Sequence, residues 1–435
     1  MALGGGTFTS MNKVLPGSYI NFVSAASSSA SVSDRGIAAI GIYTGWGKTG
    51  EIIEVTNGDF QKNSLKLFGM AYDADGLKPL RELFSNIRLA YLYRLDGGGV
   101  KAANTYATAK YAGTKGNSIT IKIEANVDDN TKWDVSTLYG TTVMDKQTVA
   151  AATALVNNDW VDFKTDATLA ATAGTALTGG TDGTPTGDTH QAFLDALEPY
   201  SFNALGCASD DTTIKGLYTA YCERVRDEVG KKFQVVVHNK AADYEGAVNV
   251  KNTITTAGNT GYELIYWVTG VMAGTAVNAS CTNKKYDGEY DINVSYTQSQ
   301  LETAIQNGEF VFHKVGQDVR ILMDINSLVT TSDTKGAIFK SNQTIRVCDN
   351  IANDIALIFN TQYLGTVPND TQGRVALRMS IVNHHTELMR MRAIEPFDTK
   401  DITVERGDDN KTVIVTDAIT LIGAMEKLYM TVTVS

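Results

Sequence analysis

Residues Phe202–Ala208 (FNALGCA), Thr212–Val229 (TTIKGLYTAYCERVRDEV) and Phe233–His238 (FQVVVH) decide the fold. A short apolar run, an amphipathic stretch and a second apolar run read as strand, helix and strand. Working outward, a helix is predicted over His190–Leu197 ahead of this unit. Behind it come a strand over Glu263–Thr269, a helix over Gly274–Ser280, a helix over Gln298–Gln306, and strands over Glu309–Lys314 and Val319–Ile325. This alternation predicts an α/β layer with a largely parallel sheet.

Towards the N-terminus, Gly36–Leu95 carries the strand-like runs GIAAIGIY, GEIIEVT and RLAYLYRL and a helix about Leu77–Ile87, all part of the same core. Between Ala102 and Leu177 the composition turns to Thr, Ala, Asn and Asp, with alternating runs such as Ser118–Ile123, which predicts a β domain inserted into the core. The turn-rich Leu177–Gly183, followed by Pro185 and Gly187, marks the return.

In the last hundred residues, Cys348, Ile351, Ala352, Ile355 and Ile358 fall on one face of a helix that Gly365 and Pro368 end. A second helix is predicted over Thr371–Met391, with Val375, Met379, Val382 and Met389 inward and Arg374, Arg378, Glu387 and Arg390 outward. Strands follow at Ile402–Arg406, Thr412–Val415 and Leu428–Val434. The predicted divisions are an arm (1–31), the first part of the core (32–101), the inserted β domain (102–177), the α/β domain (178–340), an α+β domain (341–424) and a terminal strand arm (425–435).

With 435 residues and 43% hydrophobic content, the chain can bury several cores. Its formal charge of −10 opposes binding to a phosphate backbone, so nucleic acid is not an expected partner. Cys207, Cys222, Cys281 and Cys348 are too scattered for a zinc site or a disulfide framework, and reduced, buried thiols are expected. The opening MALGGGTFTS lacks a basic, apolar leader pattern, and no apolar run reaches membrane-spanning length; synthesis in the cytoplasm, without membrane insertion, is expected.

Motifs that carry chemistry are incomplete. Gly47-Lys48-Thr49 resembles the end of a phosphate-binding loop, but Ile42 stands where its first glycine belongs. Asp73-x-Asp75-Gly76 resembles the start of a calcium loop without the later ligands. His384 and His385 are adjacent and so are expected on different sides of their helix, and His190, His238 and His313 are scattered. His238 ends a strand but has no nucleophile motif beside it. No catalytic residue, cofactor or metal is predicted.

Architecture is what remains. Two extended segments lie near opposite ends of the sequence: Ser18, Tyr19, Ile20, Asn21, Phe22 and Val23, and then Leu428, Tyr429, Met430, Thr431, Val432, Thr433 and Val434. A strand without a local partner completes its hydrogen bonds on another sheet edge, and a neighbouring copy supplies one. Mutual donation makes heterologous contacts, which close into rings or extend into helices.

Several segments, in order, carry a family resemblance: Leu15–Ile20, the Gly45-Trp46-Gly47 turn before Glu51–Thr56, Ala109–Asn117, Leu177–Gly183 and Ala424–Val434. Over nearly its whole length the chain resembles the sheath proteins of contractile phage tails and R-type bacteriocins. The resemblance implies a β-sandwich-like insert, a subtilisin-like α/β core without activity and a C-terminal α+β domain. Met272–Val277 looks like the subtilisin nucleophile region, with Ala276 where a serine is expected.

It also implies hexameric rings of this chain stacked in a helical tube around an inner tail tube protein, with baseplate and tail terminator proteins as further partners. The terminal arms would be exchanged between copies. The hairpin residues Ile402, Thr403, Val404, Val413, Ile414 and Val415 are the candidate acceptor. The expected location is a virion tail or bacteriocin particle, assembled in the host cytoplasm and extracellular after release. The alternative is another self-assembling structural protein, such as a tail-tube or surface-layer subunit; an α/β hydrolase-like enzyme is the third reading.

Overall fold

The computed structural model describes residues 32–434, so the predicted strand Ser18–Val23 lies outside the described residues. The chain runs through β1 (Ile37–Ile42), β2 (Ile53–Thr56), α1 (Asn57–Phe68), α2 (Lys78–Phe84) and β3 (Leu89–Arg94). The insert holds β4 (Ala107–Ala109), β5 (Ile119–Ala125), β6 (Trp133–Tyr139), β7 (Thr142–Val149), β8 (Val161–Phe163) and β9 (Thr172–Ala176). Then come α3 (Gly187–Leu197), β10 (Ala204–Gly206), α4 (Thr212–Arg224), β11 (Gln234–His238), β12 (Ala247–Val250), α5 (Leu264–Gly274), α6 (Gln298–Gln306) and β13 (Glu309–Phe310). The hairpin β14 (Phe312–Val315) and β15 (Asp318–Ile321) leads to α7 (Asn342–Ile358), α8 (Thr371–Arg390), β16 (Thr403–Arg406) and β17 (Val413–Thr416).

One seven-stranded sheet, ordered β13-β12-β11-β10-β1-β3-β2, forms the core, and every pairing in it is parallel except β2 with β3. All five residues of β11 are buried, as a sheet covered on both faces requires. Val235 and Val237 pack with Phe193 of α3 and Tyr218 of α4, while Val236 packs with Leu83 of α2 and the body of α5. Alternate side chains of one strand thus feed two separate cores.

The stretch Glu263–Thr269, expected as a strand, is instead the start of helix α5, and the helix expected over Gly274–Ser280 is absent. Residues Leu264–Ala273 are all buried, so this helix is apolar on every side and its sequence carries no 3.6-residue alternation to separate it from a buried strand. Gly270 and Gly274 let it lie against the end of α2: a Cβ at these positions would stand 2.6 Å from the Leu83 carbonyl oxygen and 1.8 Å from that of Asn86. Helix α1 and strand β12 have no counterpart in the sequence reading. The expected strand Glu309–Lys314 divides between β13 of the main sheet and β14 of a two-stranded one.

The insert is built on period-two alternation: Ile119, Ile121 and Ile123 of β5 are buried while Thr120 and Lys122 are half-buried. An antiparallel sheet β7-β6-β5-β9 and the pair β4-β8 share one core, which includes Ala107, Val135, Val161 and Phe163. Val100 and Thr181 exchange backbone hydrogen bonds of 3.0 and 3.1 Å where the chain leaves and re-enters the main unit. Trp46, from the turn after β1, stacks on Trp160 with ring centres 5.5 Å apart and so ties the two units together.

Helix α7 docks on the main unit through polar side chains. Arg346 pairs with Asp324, Arg226 with Asp349, and the amide of Gln234 donates to Asn342 at 2.7 Å. Of the apolar stripe, Cys348, Ile351, Ala352 and Ile355 are only partly buried, and the buried positions of α7 include Arg346, Asp349, Asn350 and Asp354. On α8, Val375 and Met379, expected inward, are exposed; the buried stripe is Leu377, Ile381, His384, His385 and Leu388. Two histidines complete the 3.6-residue spacing where only apolar residues were counted.

Candidate functional site

The strands β16 and β17 pair in antiparallel register, Val404 opposite Val415 and Arg406 opposite Val413. Asp409 closes their turn by accepting the backbone N–H groups of Lys411 at 2.7 Å and Thr412 at 2.8 Å. The hairpin's inner side rests on α8: Ile402 is fully buried with Leu377, Ile381 and Val382, while Val404 and Val413 are half-buried beside them. Its other side is open, with Ile414 exposed, while Val415, on the inner side with Val404 and Val413, is exposed where that side extends past α8. Of the six predicted acceptor residues, five therefore lie on a two-stranded sheet, and Ile402 precedes it as a core anchor.

Because the sheet has two strands among the described residues, the outer edge of each faces away from its partner and keeps backbone groups unpaired by any described strand. Beside β17 lies an open trough of about 480 Å³ floored by Ile351, Ile355 and Phe359 from the α7 side and by Leu377 and Ile381 of α8. The partly buried stripe of α7 is the floor of this trough. Val413 and Val415 form its wall.

The C-terminal segment approaches and then leaves this unit. Glu395 N–H donates to the Thr420 carbonyl at 2.8 Å, Ile422 N–H to that of Ala393 at 3.0 Å, and Ala424 N–H to the side chain of Gln343 at 3.0 Å. Beyond Ala424, among the described residues, no backbone group has a partner in the same chain, and the Glu426 carboxylate accepts only from the Thr282 hydroxyl at 2.8 Å. Leu428 and Tyr429 are 86% and 89% exposed, and Met430, Val432 and Val434 are exposed with them. Among the described residues the predicted strand Leu428–Val434 thus forms no ladder. Burying one such large apolar side chain is worth about 1.5–3 kcal/mol.

The residues weighed for chemistry are placed elsewhere. Lys48 pairs with Glu51 at 3.0 Å on the surface, and Asp75 opens a single 3₁₀ turn before α2. His238 meets Asp210 at 3.1 Å and its neighbour Asn239, with no hydroxyl or thiol among its hydrogen-bond partners. Burial pushes the Cys207 and Cys222 thiols up to about 12 and that of Cys348 up to about 11, so none is poised as a thiolate near neutrality. Ala276 lies two residues beyond the end of α5. Among the described residues no three His, Cys, Asp or Glu side chains come together as a metal site. His384 and His385, expected to diverge, instead face each other inside the α8 contact.

Comparison with known proteins bears on the whole chain. The models of the phage tail sheath protein beta-sandwich domain, the phage tail sheath protein central domain and the phage tail sheath C-terminal domain match residues 97–182, 183–327 and 334–435. The sheath tail protein of Desulfitobacterium hafniense is similar at 35% identity and a TM-score of 0.84, covering 95% of this chain and 99% of its own. That of Listeria innocua is similar at 33% identity and a TM-score of 0.78, over 92% and 94%. The phage-like element PBSX protein XkdK of Bacillus subtilis (strain 168) is 32% identical across the full length of both chains.

Proposed function

The chain belongs to the phage tail sheath protein family, and from that premise we propose that it is the contractile sheath subunit whose copies are linked by exchanged terminal strands. A structural sheath subunit needs a joint that holds while its subunits move. The observation that carries the strand-exchange reading is the presence, among the described residues, of both an apolar segment without a ladder, Leu428–Val434, and an open hairpin edge above an apolar trough. A strand laid along β17 gains backbone hydrogen bonds worth about 0.5–1.5 kcal/mol each, together with burial of its alternate side chains.

In this reading residues Ser18–Val23 of another copy take the remaining edge, and each subunit both gives and receives. Stacked hexameric rings then surround an inner tube, meet a baseplate at one end and a terminator at the other, and shorten on a trigger to drive the tube through a cell envelope. The seven-stranded unit is the subtilisin-like domain of the family resemblance, with Ala276 in place of a nucleophile, so the subunit acts mechanically and not as a catalyst. Its place is a tail or tail-like particle assembled in the bacterial cytoplasm. The domain divisions at 31, 101, 177, 340 and 424 belong to the same proposal.

The test is removal of residues 425–435. The truncated chain should keep its thermal transition and run as a monomer, while the intact chain forms striated cylinders visible by electron microscopy. Cylinders formed by the truncated chain would end the strand-exchange reading.

A further inference from the structure

His384 and His385, consecutive on α8 and both fully buried, bring their Nδ1 atoms to 3.3 Å from each other. Nε2 of His384 lies 3.0 Å from Oδ2 of Asp354 on α7, and Nε2 of His385 lies 2.8 Å from Oδ2 of Asp417, one residue beyond β17. Asp354 also receives the backbone N–H of Ser33 at 3.1 Å and its hydroxyl at 2.6 Å. A continuous hydrogen-bonded path therefore runs Ser33–Asp354–His384–His385–Asp417. It joins the chain that emerges from residues 1–31 to the chain that leads into the C-terminal tail.

The path fixes a proton count. A carboxylate accepts, so each Nε2 must carry a hydrogen, and two Nδ1 atoms in contact need one hydrogen between them. Three hydrogens on four nitrogens make one ring an imidazolium and the other neutral. We infer that the pair holds one added proton as a shared unit and acts as a clasp that fastens the roots of both chain ends to α8, opening when that proton is lost or a second is gained. Loss leaves either two lone pairs facing each other or one lone pair facing a carboxylate. Gain sets two N–H groups and two positive charges against each other.

The groups facing the rings are Asp354 from α7, Asp417 from the segment after β17, Ser33 acting through Asp354, and the uncharged ring of Phe397 at 5.8 Å from His385. Neither carboxylate has a lysine or arginine partner among the described residues; Asp354 is buried, and the Asp417 side chain is a quarter exposed to solvent. This inference concerns the unassembled chain and goes beyond the sheath reading; its failure would leave that reading untouched, and the reverse.

The experiment uses the unassembled full-length chain with ¹⁵N-labelled histidine. Three protonated ring nitrogens and one bare Nδ1 are expected for this pair. Amide exchange at Glu395 and Ile422, corrected for intrinsic rates, should be slowest on an intermediate pH plateau, with the opening equilibrium rising by about tenfold or more on both the acid and the alkaline side. Ser33→Ala and Asp417→Asn should each raise that opening, and together should raise it little beyond the larger single effect. Two neutral or two cationic rings across the whole folded pH range, exchange that rises on one side only, or fully additive effects of the two substitutions would overturn the clasp. Should Ser33→Ala fail to fold, the nitrogen count in the unaltered chain still decides.

Discussion

Asp349 of α7 receives both outer nitrogens of the Arg226 guanidinium, Nη1 at 2.7 Å and Nη2 at 2.8 Å, across 123 positions of sequence. Burial opposes the charge on Arg226, but Asp349 outweighs it and holds the guanidinium above its ordinary range. The fork binds the π-helical turn after α4 to the helix that floors the trough beside the hairpin, so the position of that floor is set by a polar contact with one allowed geometry.

Asp349→Ala should therefore leave an unpaired buried cation and cost about 3–5 kcal/mol, whereas the double change Arg226→Met with Asp349→Leu should cost far less. Denaturant midpoints of the unassembled chain measure both. Equal losses in the two variants would mean that the fork has no electrostatic role.

Glu82 is 1% exposed on α2, and burial raises its carboxyl to about 7, only partly offset by hydrogen bonds from the Glu289 N–H and the Tyr286 hydroxyl. A carboxyl raised in the folded state stabilises below its unfolded value and loses that contribution as pH rises through the folded one. Glu82 alone should thus remove about 3 kcal/mol between pH 4.5 and 7. Glu82→Gln should remove this component, read as the difference between the slopes of denaturant midpoint against pH in parent and variant.

His190 works in the opposite sense. Burial on the inner face of α3 lowers it to about 4, weakly countered by Asp211, and its Nδ1 meets the Tyr218 hydroxyl at 2.9 Å. Its contribution is complete above pH 6.5 and is lost as pH falls towards 4, again about 3 kcal/mol. Over the shared range the two slopes nearly cancel, so the parent chain should have a flat profile, Glu82→Gln a falling one on acidification, and Glu82→Gln with His190→Asn a flat one again. A parent profile as steep as either single variant's would contradict this compensation.

Helix glycines separate into two kinds. Gly274 has no room for a Cβ beside the Asn86 carbonyl oxygen, so Gly274→Ala should cost about 2–4 kcal/mol or displace α5 from α2. Gly216 of α4 has nothing within 4 Å of the same added atom, so Gly216→Ala should stabilise by about 0.5–1 kcal/mol through helix propensity alone. Thermal midpoints of the two variants should move in opposite directions.

Where one face of an element meets the core and the other meets water, the sequence was readable. The alternation Ile119, Ile121, Ile123 predicted β5, and α6 was placed at its observed bounds, Gln298–Gln306. Legibility fails where both sides are buried, as in α5, and where polar side chains do the packing, as with Arg346, Asp349 and Asp354 on α7. The same effect hid the trough. Ile351 and Ile355 were correctly placed on one apolar stripe, but a stripe does not say whether its partner is in the same chain. The His384–His385 contact had no signal, because it depends on Asp354 and Asp417, 30 and 32 residues away from their respective histidines.

That stripe, open among the described residues, gives the last prediction. Ile355 floors the trough while remaining half-buried in the monomer, so Ile355→Asp should cost the isolated chain only about 1–2 kcal/mol. In an assembly a neighbouring strand over β17 would place apolar side chains against that position, and a carboxylate there would be stripped of water without a counter-charge, a penalty of several kcal/mol at every joint. Leu357, two residues on and 58% exposed, lies outside the trough, so Leu357→Asp should be tolerated. Sedimentation should find Ile355→Asp folded and monomeric under conditions where the parent chain and Leu357→Asp both form cylinders. Cylinders of normal yield from Ile355→Asp would place the joint elsewhere on the molecule.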